Sequence, residues 1–241
     1  MATWIAHLRL AENLLNEIGG LDPYYFAIGN VAPDSGIWNE DTKRFEPPVE
    51  NTHFLVSHDD QWPYADLKFY REYLAGAAKG TSDIGLLSML WGYFFHLVAD
   101  NLWDHHIGRP TRERFAVEFD KDPEFIWEVK RDWYGLDLHY VRTYPEVLYW
   151  RVFLDCEYRQ DYLDFLAPEA INQRLEYIKT LYQREDEEIE KNYGNRPDKY
   201  LVESEMNDFV DETTHQLFSI YQHLTSDAIT PSECTSSLEL M

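Results

Sequence analysis

The chain has 241 residues, of which 44% are hydrophobic and 16% are aromatic. This length and composition exclude a disordered chain and suit one packed domain, because enough apolar surface is present to build a sizeable core. The formal net charge of -23 opposes binding to nucleic-acid polymers and to anionic lipid surfaces. An acidic protein that handles a phosphate needs local positive charge, which a bound divalent metal can supply.

The cysteines and the first residues of the chain indicate in which cellular compartment the protein is expected. Cys156 and Cys234 are far apart in the sequence, which predicts neither a disulfide framework nor a thiolate metal site. The first residues lack the basic region and apolar run of a secretory signal, and no apolar stretch approaches the length of a membrane span. These features predict a cytoplasmic protein without a membrane span.

The first two predicted helices follow clear start and stop signals. Residues 3–18 show a helical apolar stripe that begins after Thr3, a typical N-cap, and ends before two glycines. The stripe places His7 near a buried face. A second, short helix is predicted to start at Pro23 and to break before Pro33, which would hold Asp34 on a rigid turn. An aspartate there is often only a turn former, so this segment alone leaves its role open.

A long connection is predicted next. Residues 37–62 are polar and contain Pro47-Pro48, and an irregular segment of this length in a compact domain is often functional. It carries His53 and the adjacent pair His58-Asp59.

The helix predicted for residues 82–104 carries the strongest signal in the sequence. Helical spacing places His96 and Asp100 one turn apart on its buried face. An unpartnered polar group there would cost about 2–7 kcal/mol, and a charge would cost more. A metal ion would satisfy both side chains, although a structural hydrogen bond or ion pair would also explain them. Gly92, one turn earlier, would let another segment approach closely.

The remaining periodic segments are also helical. Helices are predicted at residues 63–78, 122–143, 145–166, 168–193 and 198–224. We therefore predict an all-α fold, with one domain of roughly seven helices at residues 1–225 and a loose polar tail at residues 226–241. In the 122–143 helix, Asp132 and His139 lie two turns apart and could face the same interior as His96.

Candidate metal ligands accumulate in the first half of the chain. Histidines and carboxylates recur on predicted buried stripes and rigid turns, at His7, Asp34, His53, His96, Asp100 and His106, with Asp104 and Asp132 close behind. Nitrogen and oxygen ligands without sulfur suit zinc and would also admit manganese or iron.

These residues and their order resemble the zinc-dependent phospholipase C family, whose fold is shared by related single-strand-specific nucleases. The resemblance covers residues 3–107 and lies in the helix with His7, the segments Gly29-Asn30-Val31-Ala32-Pro33-Asp34 and Thr52-His53-Phe54, and the run from Gly92 through His96 and Asp100 to Trp103 and His106.

The resemblance implies an all-helical domain around a trinuclear zinc cluster that hydrolyses phosphodiesters, and we expect two or three ions in this chain. Carried over to this sequence, His7 would bind one zinc, and Asp34, His53, His96 and Asp100 would bind another. Asp100 would bridge two ions, and Asp34 would also be the candidate general base. His106 would begin the third zinc site.

The sequence departs from the family pattern in two places. The secreted phospholipases use a mature amino-terminal Trp as a ligand, whereas Trp4 lies inside this chain. They complete the third site with a His and a Glu one turn apart, and no such pair follows His106 here. We take Asp132, with Asp104 or His139, as the substitute. The missing secretory signal argues against an extracellular lipid substrate. The shorter intracellular relatives of the family are the closer match, and the resemblance does not imply their substrates.

We therefore predict a phospholipase C-like hydrolase in which metal-activated water attacks a small phosphoester or phosphodiester. Three alternatives stay open. One is a His-Asp type phosphohydrolase built on His58-Asp59, and another is a di-iron bundle, for which only Glu212-x-x-His215 is present. The third is a helical metal-binding or scaffolding protein without catalysis. The sequence leaves the oligomeric state open.

Overall fold

The computed structural model describes residues 1–58, 60–194, 199–226 and 233–241. It confirms the predicted all-α class. The α-helices of the described residues, in chain order, are α1 (Trp4–Glu17), α2 (Pro23–Gly29), α3 (Val49–Thr52), α4 (Asp66–Phe69), α5 (Ala75–Gly80), α6 (Ile84–Trp103), α7 (Arg109–Arg114), α8 (Ala116–Lys121), α9 (Phe125–Thr143), α10 (Leu148–Arg151), α11 (Pro168–Gln183), α12 (Glu187–Ile189) and α13 (Glu203–Thr225). No helix of these residues is both long and apolar enough to cross a bilayer.

The first two helices begin where their capping residues predict. The Thr3 side chain accepts a hydrogen bond from the Ala6 amide at the start of α1. The Asp22 carboxylate accepts from the Tyr24 and Tyr25 amides at the start of α2. Each cap satisfies donors that the first turn leaves without an intrahelical partner.

The connection at residues 37–62 is more regular than predicted. Strands β1 (Ile37–Asn39) and β2 (Arg44–Glu46) form an antiparallel hairpin in which Trp38 lies opposite Phe45. Helix α3 and an isolated bridge between Leu55 and Tyr64 follow. Strands of three residues are too short to show an alternating pattern, so sequence periodicity missed the hairpin.

Helix α6 continues beyond its predicted end. It runs through a π-helical turn, Asp104–Gly108, into α7. Within this turn the Arg109 amide donates to the Asp104 carbonyl, five residues back. The chain thereby stays helical past Pro110, which lacks an amide hydrogen for the usual ladder.

The helix predicted at residues 145–166 is wrong beyond its first turns. Only α10 and a 3-10 turn, Phe153–Asp155, form there. The side chain of Asn172 accepts from the Tyr158 amide and donates to its carbonyl, and Lys179 donates to the Cys156 carbonyl. These contacts from α11 satisfy backbone groups that would otherwise pair within a helix. Because the partners lie later in the chain, residues 145–166 themselves carry no pattern that predicts the contacts.

Residues 233–241 pack against the helices, so the predicted loose tail is wrong for them. Ser236 Oγ and the Ser237 amide donate to the two oxygens of Asp66, at 2.6 and 2.7 Å. The Leu67 amide donates to the Thr235 carbonyl. Burial raises the pKa of Asp66 to about 6, against hydrogen bonds that favour its charged form. The domain boundary at residue 225 stays a prediction.

A close backbone crossing joins α2 to α6. Gly29 and Gly92 face each other there, with the Gly92 Cα 3.0 Å from the position of a Cβ built on Gly29. A Cβ at Gly92 would lie 2.5 Å from the Phe26 carbonyl oxygen. Only glycine permits this approach, and it brings the end of α2 against the middle of α6.

We expect Gly92→Ala to lower the free energy of unfolding by about 1–3 kcal/mol or more, because the added methyl overlaps a rigid backbone carbonyl. Gly76→Ala is the matched control, since a Cβ there meets nothing within 4 Å. That variant should be neutral or gain up to about 1 kcal/mol from helix propensity. Urea unfolding of both variants checks this, and equal stability would contradict the close crossing.

Candidate metal centre

Five of the predicted ligand residues meet inside the protein. His7 comes from α1, Asp34 from the 3-10 turn Ala32–Asp34, and His53 from the residue after α3, while α6 supplies His96 and Asp100. The side chains of His7, His53, His96 and Asp100 are fully buried, and that of Asp34 is 10% exposed. Three elements distant in sequence thus converge on one face of α6.

The Asp100 carboxylate lies between the histidines. Its Oδ1 is 3.3 Å from His7 Nε2. Its Oδ2 is 3.5 Å from both His53 Nε2 and His96 Nε2. The two oxygens of one carboxylate therefore face two different sets of imidazoles, as a residue shared by two metal sites would.

The imidazoles of His53 and His96 point their Nε2 atoms at each other, 3.3 Å apart. The Nδ1 of His96 lies 2.8 Å from the Asn30 carbonyl oxygen, and that of His53 lies 3.2 Å from the Val49 carbonyl oxygen. Carbonyls only accept, so both Nδ1 atoms carry hydrogen and, in the neutral rings, both Nε2 atoms present lone pairs. Two facing lone pairs repel each other, and either a proton on one ring or a metal ion bound by both relieves this repulsion.

The spacing of the ligand atoms suits zinc. They form two groups, His7 with His96 and Asp100, and Asp34 with His53 and His96, and the atoms of each lie within 4.8 Å of one another. Tetrahedral zinc with bonds of about 2.0–2.1 Å separates its ligand atoms by roughly 3.3 Å. The measured separations of 3.3 to 3.5 Å match this value.

Unsatisfied atoms point to the same conclusion. Both ring nitrogens of His7 and Oδ2 of Asp100 are buried without a hydrogen-bond partner among the residues that the structure describes. Leaving such groups without a partner costs about 1–3 kcal/mol each, and more for a charged group. A cation bound among them would remove this cost.

The protonation states also suit metal binding. Burial, reinforced by the charge of His96, lowers the pKa of His7 to about 4. Burial alone would raise the pKa of the Asp34 and Asp100 carboxyls. Hydrogen bonds and charge from the histidines hold the pKa of Asp34 below its ordinary range, and the charges of the amino terminus and of His96, with hydrogen bonds from the histidines, do the same for Asp100. Burial lowers the pKa of His96, but the Asp100 carboxylate outweighs it and raises that pKa. Two ionised carboxylates and a neutral His7 are thus ready as ligands, and a metal would displace the proton of His96.

The chain positions His53 and Asp34 by neighbouring contacts that sequence reasoning missed. Phe54 has a φ of 52°, in the left-handed region, so the chain turns sharply directly after His53. The indole Nε1 of Trp4 donates to Asp34 Oδ2 at 2.8 Å. Helical spacing could have indicated Trp4, since it lies one turn before His7 on α1.

His106 lies apart from this cluster. It is exposed on the π-helical turn, with its ring centroid 5.0 Å from that of His105. It lines a separate cavity of about 290 Å³, together with the acidic residues Glu205, Asp208 and Glu212. The structure does not bring His106 into either ligand group.

The residues predicted to complete a third site have other partners. Asp132 Oδ2 accepts from the Lys199 and Tyr200 amides at 2.9 and 2.7 Å. Asp104 pairs with Arg109 at 2.7 Å, and His139 is largely exposed. The structure does not bring these side chains together, because each is held on a different surface of the helices.

The alternative motifs gain no support from the described residues. His58 is exposed, and its neighbour Asp59 lies outside the part of the chain that the structure describes. Glu212 and His215 are both exposed on α13, and neither belongs to the two ligand groups.

A cavity of about 800 Å³ adjoins the cluster, and we call it the aromatic cavity. Asp34 and Thr52 form its inner end. Its outer wall contains Phe45, Trp127 and Tyr177, which are 46, 52 and 54% exposed. The volume lies within the range of ligand pockets, about 300–1,000 Å³. A small molecule can therefore reach the carboxylate of Asp34 from solvent.

An all-helical domain with this buried histidine and carboxylate cluster belongs to the class of helical proteins built around a candidate metal centre. The family model described as zinc dependent phospholipase C matches residues 6–222, and the chain belongs to this family. The match extends the resemblance from residues 3–107 through most of the second half. Comparisons with curated proteins and with solved structures return no match.

We expect His7 to stay neutral in metal-free protein until the pH falls to about 4, well below its ordinary value of 6.5. Between these values the unfolded chain takes up a proton that the folded chain does not, so this group lowers stability as the pH falls. An NMR titration of the imidazole, assigned by comparison with His7→Asn, checks this. A midpoint near 6.5 would contradict the burial of His7.

Proposed function

We propose that this protein is a zinc-dependent hydrolase of small phosphoesters or phosphodiesters. The observation that carries the proposal is the pair of Nε2 atoms of His53 and His96, 3.3 Å apart beside Asp100 Oδ2. Membership of a family described as zinc-dependent phospholipases C supports the same reaction class.

The two ligand groups support a pair of zinc ions. His7, His96 and Asp100 would hold one ion, and Asp34, His53 and His96 would hold the other, with Asp100 reaching both groups through its two oxygens. The ions would supply positive charge for a phosphate and lower the pKa of a nearby water toward about 7. Manganese or iron would suit the same donors.

Asp34 is the residue that we propose to act on the attacking water. Trp4 holds its Oδ2, and its Oδ1 faces His53 at 3.4 Å, so the carboxylate has one orientation. Its low pKa makes it a weak base, and we assign it chiefly the orientation of the water that attacks phosphorus. As the new P–O bond forms, the bond from phosphorus to the leaving oxygen breaks. The proton of the water passes through the Asp34 carboxylate to solvent, and the leaving alkoxide takes up a proton from solvent to become the alcohol.

The aromatic cavity favours small substrates over polymers. It adjoins Asp34 and is deep enough for one arm of an ester. The net charge of -23 opposes the approach of a nucleic-acid polymer. We therefore propose a small phosphoester as substrate, with a part of it held against the aromatic wall.

We expect about two zinc ions per chain, one for each ligand group, in protein prepared without added metal. His96→Ala and Asp100→Asn should each lose most of this metal, since both residues belong to the shared part of the cluster. Chelation of the wild type should lower its melting temperature by several degrees, because a ligand bound only to the folded state stabilises it. Elemental analysis and thermal unfolding check both points.

His215→Ala is the matched control for the metal measurement, because His215 is exposed outside the cluster. This variant should keep its full metal content. Wild-type protein without divalent metal, even after incubation with zinc and dialysis, would contradict the proposed centre.

We expect Asp34→Asn to lower kcat for bis(p-nitrophenyl) phosphate by about 100-fold, because a reacting group that loses its correct position by about 1 Å can cost 10²-fold. The asparagine can still accept the Trp4 hydrogen bond, so the fold should persist. Asp164→Asn, at an exposed carboxylate that accepts from Tyr73, should leave kcat within about twofold. Absence of metal-dependent turnover by the wild type with zinc, manganese and iron would favour a binding protein without catalysis.

A further inference from the structure

Three cationic side chains line the aromatic cavity, Lys130 and Arg131 of α9 and Arg174 of α11. Arg131 is exposed, whereas Lys130 and Arg174 are partly buried, and Asp34 lines the same cavity. The chain is strongly acidic, with a formal net charge of -23, and several of its exposed arginines have a carboxylate partner, as Arg159 has in Glu157.

Neither Lys130 nor Arg174 forms an ion pair within 4.0 Å with a carboxylate in the described ranges. The Nε of Arg174 is buried and has no hydrogen-bond partner. Lys130 is half-buried, and its recorded contact is with the ring of Trp127, 5.3 Å from the centroid. A buried guanidinium N–H without an acceptor is costly, so Nε of Arg174 is suited to bind an incoming anion.

The guanidinium of Arg174 already covers the aromatic faces. It lies 5.4 Å from the ring centroid of Trp4, 5.7 Å from that of Tyr177 and 6.0 Å from that of Phe45. Aromatic faces in a pocket often bind a quaternary ammonium. Here a cation of the protein occupies that position, and a second cation would be repelled.

Arg174 also lies close enough to the metal-ligand cluster for one small substrate to contact both. The indole of Trp4 donates to Asp34 Oδ2, and the same indole packs under Arg174. The guanidinium is therefore one indole ring away from the carboxylate at the reacting end. A substrate with its phosphate at the cluster could reach Arg174 with a short arm.

We propose that Arg174 and Lys130 select substrates that carry a second oxyanion, a carboxylate or a phosphate, on the arm that lies in the aromatic cavity. The inference rests on the proposed phosphoester hydrolysis and names the substrate class of that site. The Arg174 guanidinium donates to the oxyanion, and the Lys130 ammonium adds its charge. Substrates with a quaternary ammonium arm are disfavoured.

The test uses p-nitrophenyl phosphodiesters that share one leaving group and differ in the other arm. The arms are methyl, choline, 2-carboxyethyl and 2-phosphonoethyl. We expect the wild type, with zinc bound, to show kcat/KM at least about tenfold higher for the two anionic arms than for methyl, and lowest for choline. The comparison of the last two arms distinguishes carboxylate from phosphate as the preferred oxyanion.

Substitutions of Arg174 and Lys130 test whether these two side chains cause the preference for anionic arms. Arg174→Gln should lower kcat/KM about tenfold for the anionic arms and leave the methyl arm within about twofold, and Lys130→Gln should do the same more weakly. Arg174→Lys, which keeps the charge, should retain part of the preference. Arg159→Gln removes an exposed cation outside the cavity and should change nothing.

The outcomes separate this inference from the proposed function. Equal kcat/KM for all arms, a preference for choline, or a preference that Arg174→Gln leaves intact would overturn the selection of anions. Absence of turnover of every diester would overturn the proposed function instead. Calorimetry with the corresponding phosphate monoesters then decides the inference, since tighter binding of the anionic arms supports it and equal binding rejects it.

Discussion

The rest of the site depends on two imidazole nitrogens that face each other in the buried interior. His53 and His96 direct their Nε2 lone pairs at one point because backbone carbonyls fix their Nδ1 hydrogens. Without a proton or a metal ion between them the two nitrogens repel each other, and the Asp100 carboxylate beside them would balance the charge of a bound cation. A cation shared among these side chains would offset the cost of burying so many polar atoms.

The close helix crossing serves this arrangement. Gly29 and Gly92 bring α2 against α6, and the next residue of α2's end, Asn30, supplies the carbonyl that orients His96. His96 lies one turn after Gly92 on α6. The close packing of α2 on α6 therefore also sets the orientation of the His96 imidazole. In the sequence, however, the glycines and the histidine are two separate signals.

The sequence predicted those parts of the site that depend on local rules. Helical spacing indicated His7, His96 and Asp100, and the turn around Pro33 indicated Asp34. The contacts of Asp132 could not be predicted, because its partner amides lie 67 and 68 residues away in the chain. The same holds for Arg174, whose place over Trp4 is set by the docking of α11, and for the hairpin, whose strands are too short to show a period.

The hairpin of β1 and β2 lines the aromatic cavity but supplies no metal ligand, so its sequence can vary without changing the ligands. Phe45 on β2 forms part of the wall around Arg174, yet the hairpin contributes no side chain to the two ligand groups. Its length and composition can therefore drift, as surface loops commonly do, while the metal ligands stay in register on the helices. New substrate preferences can arise there by insertion or substitution at little cost to the buried chemistry.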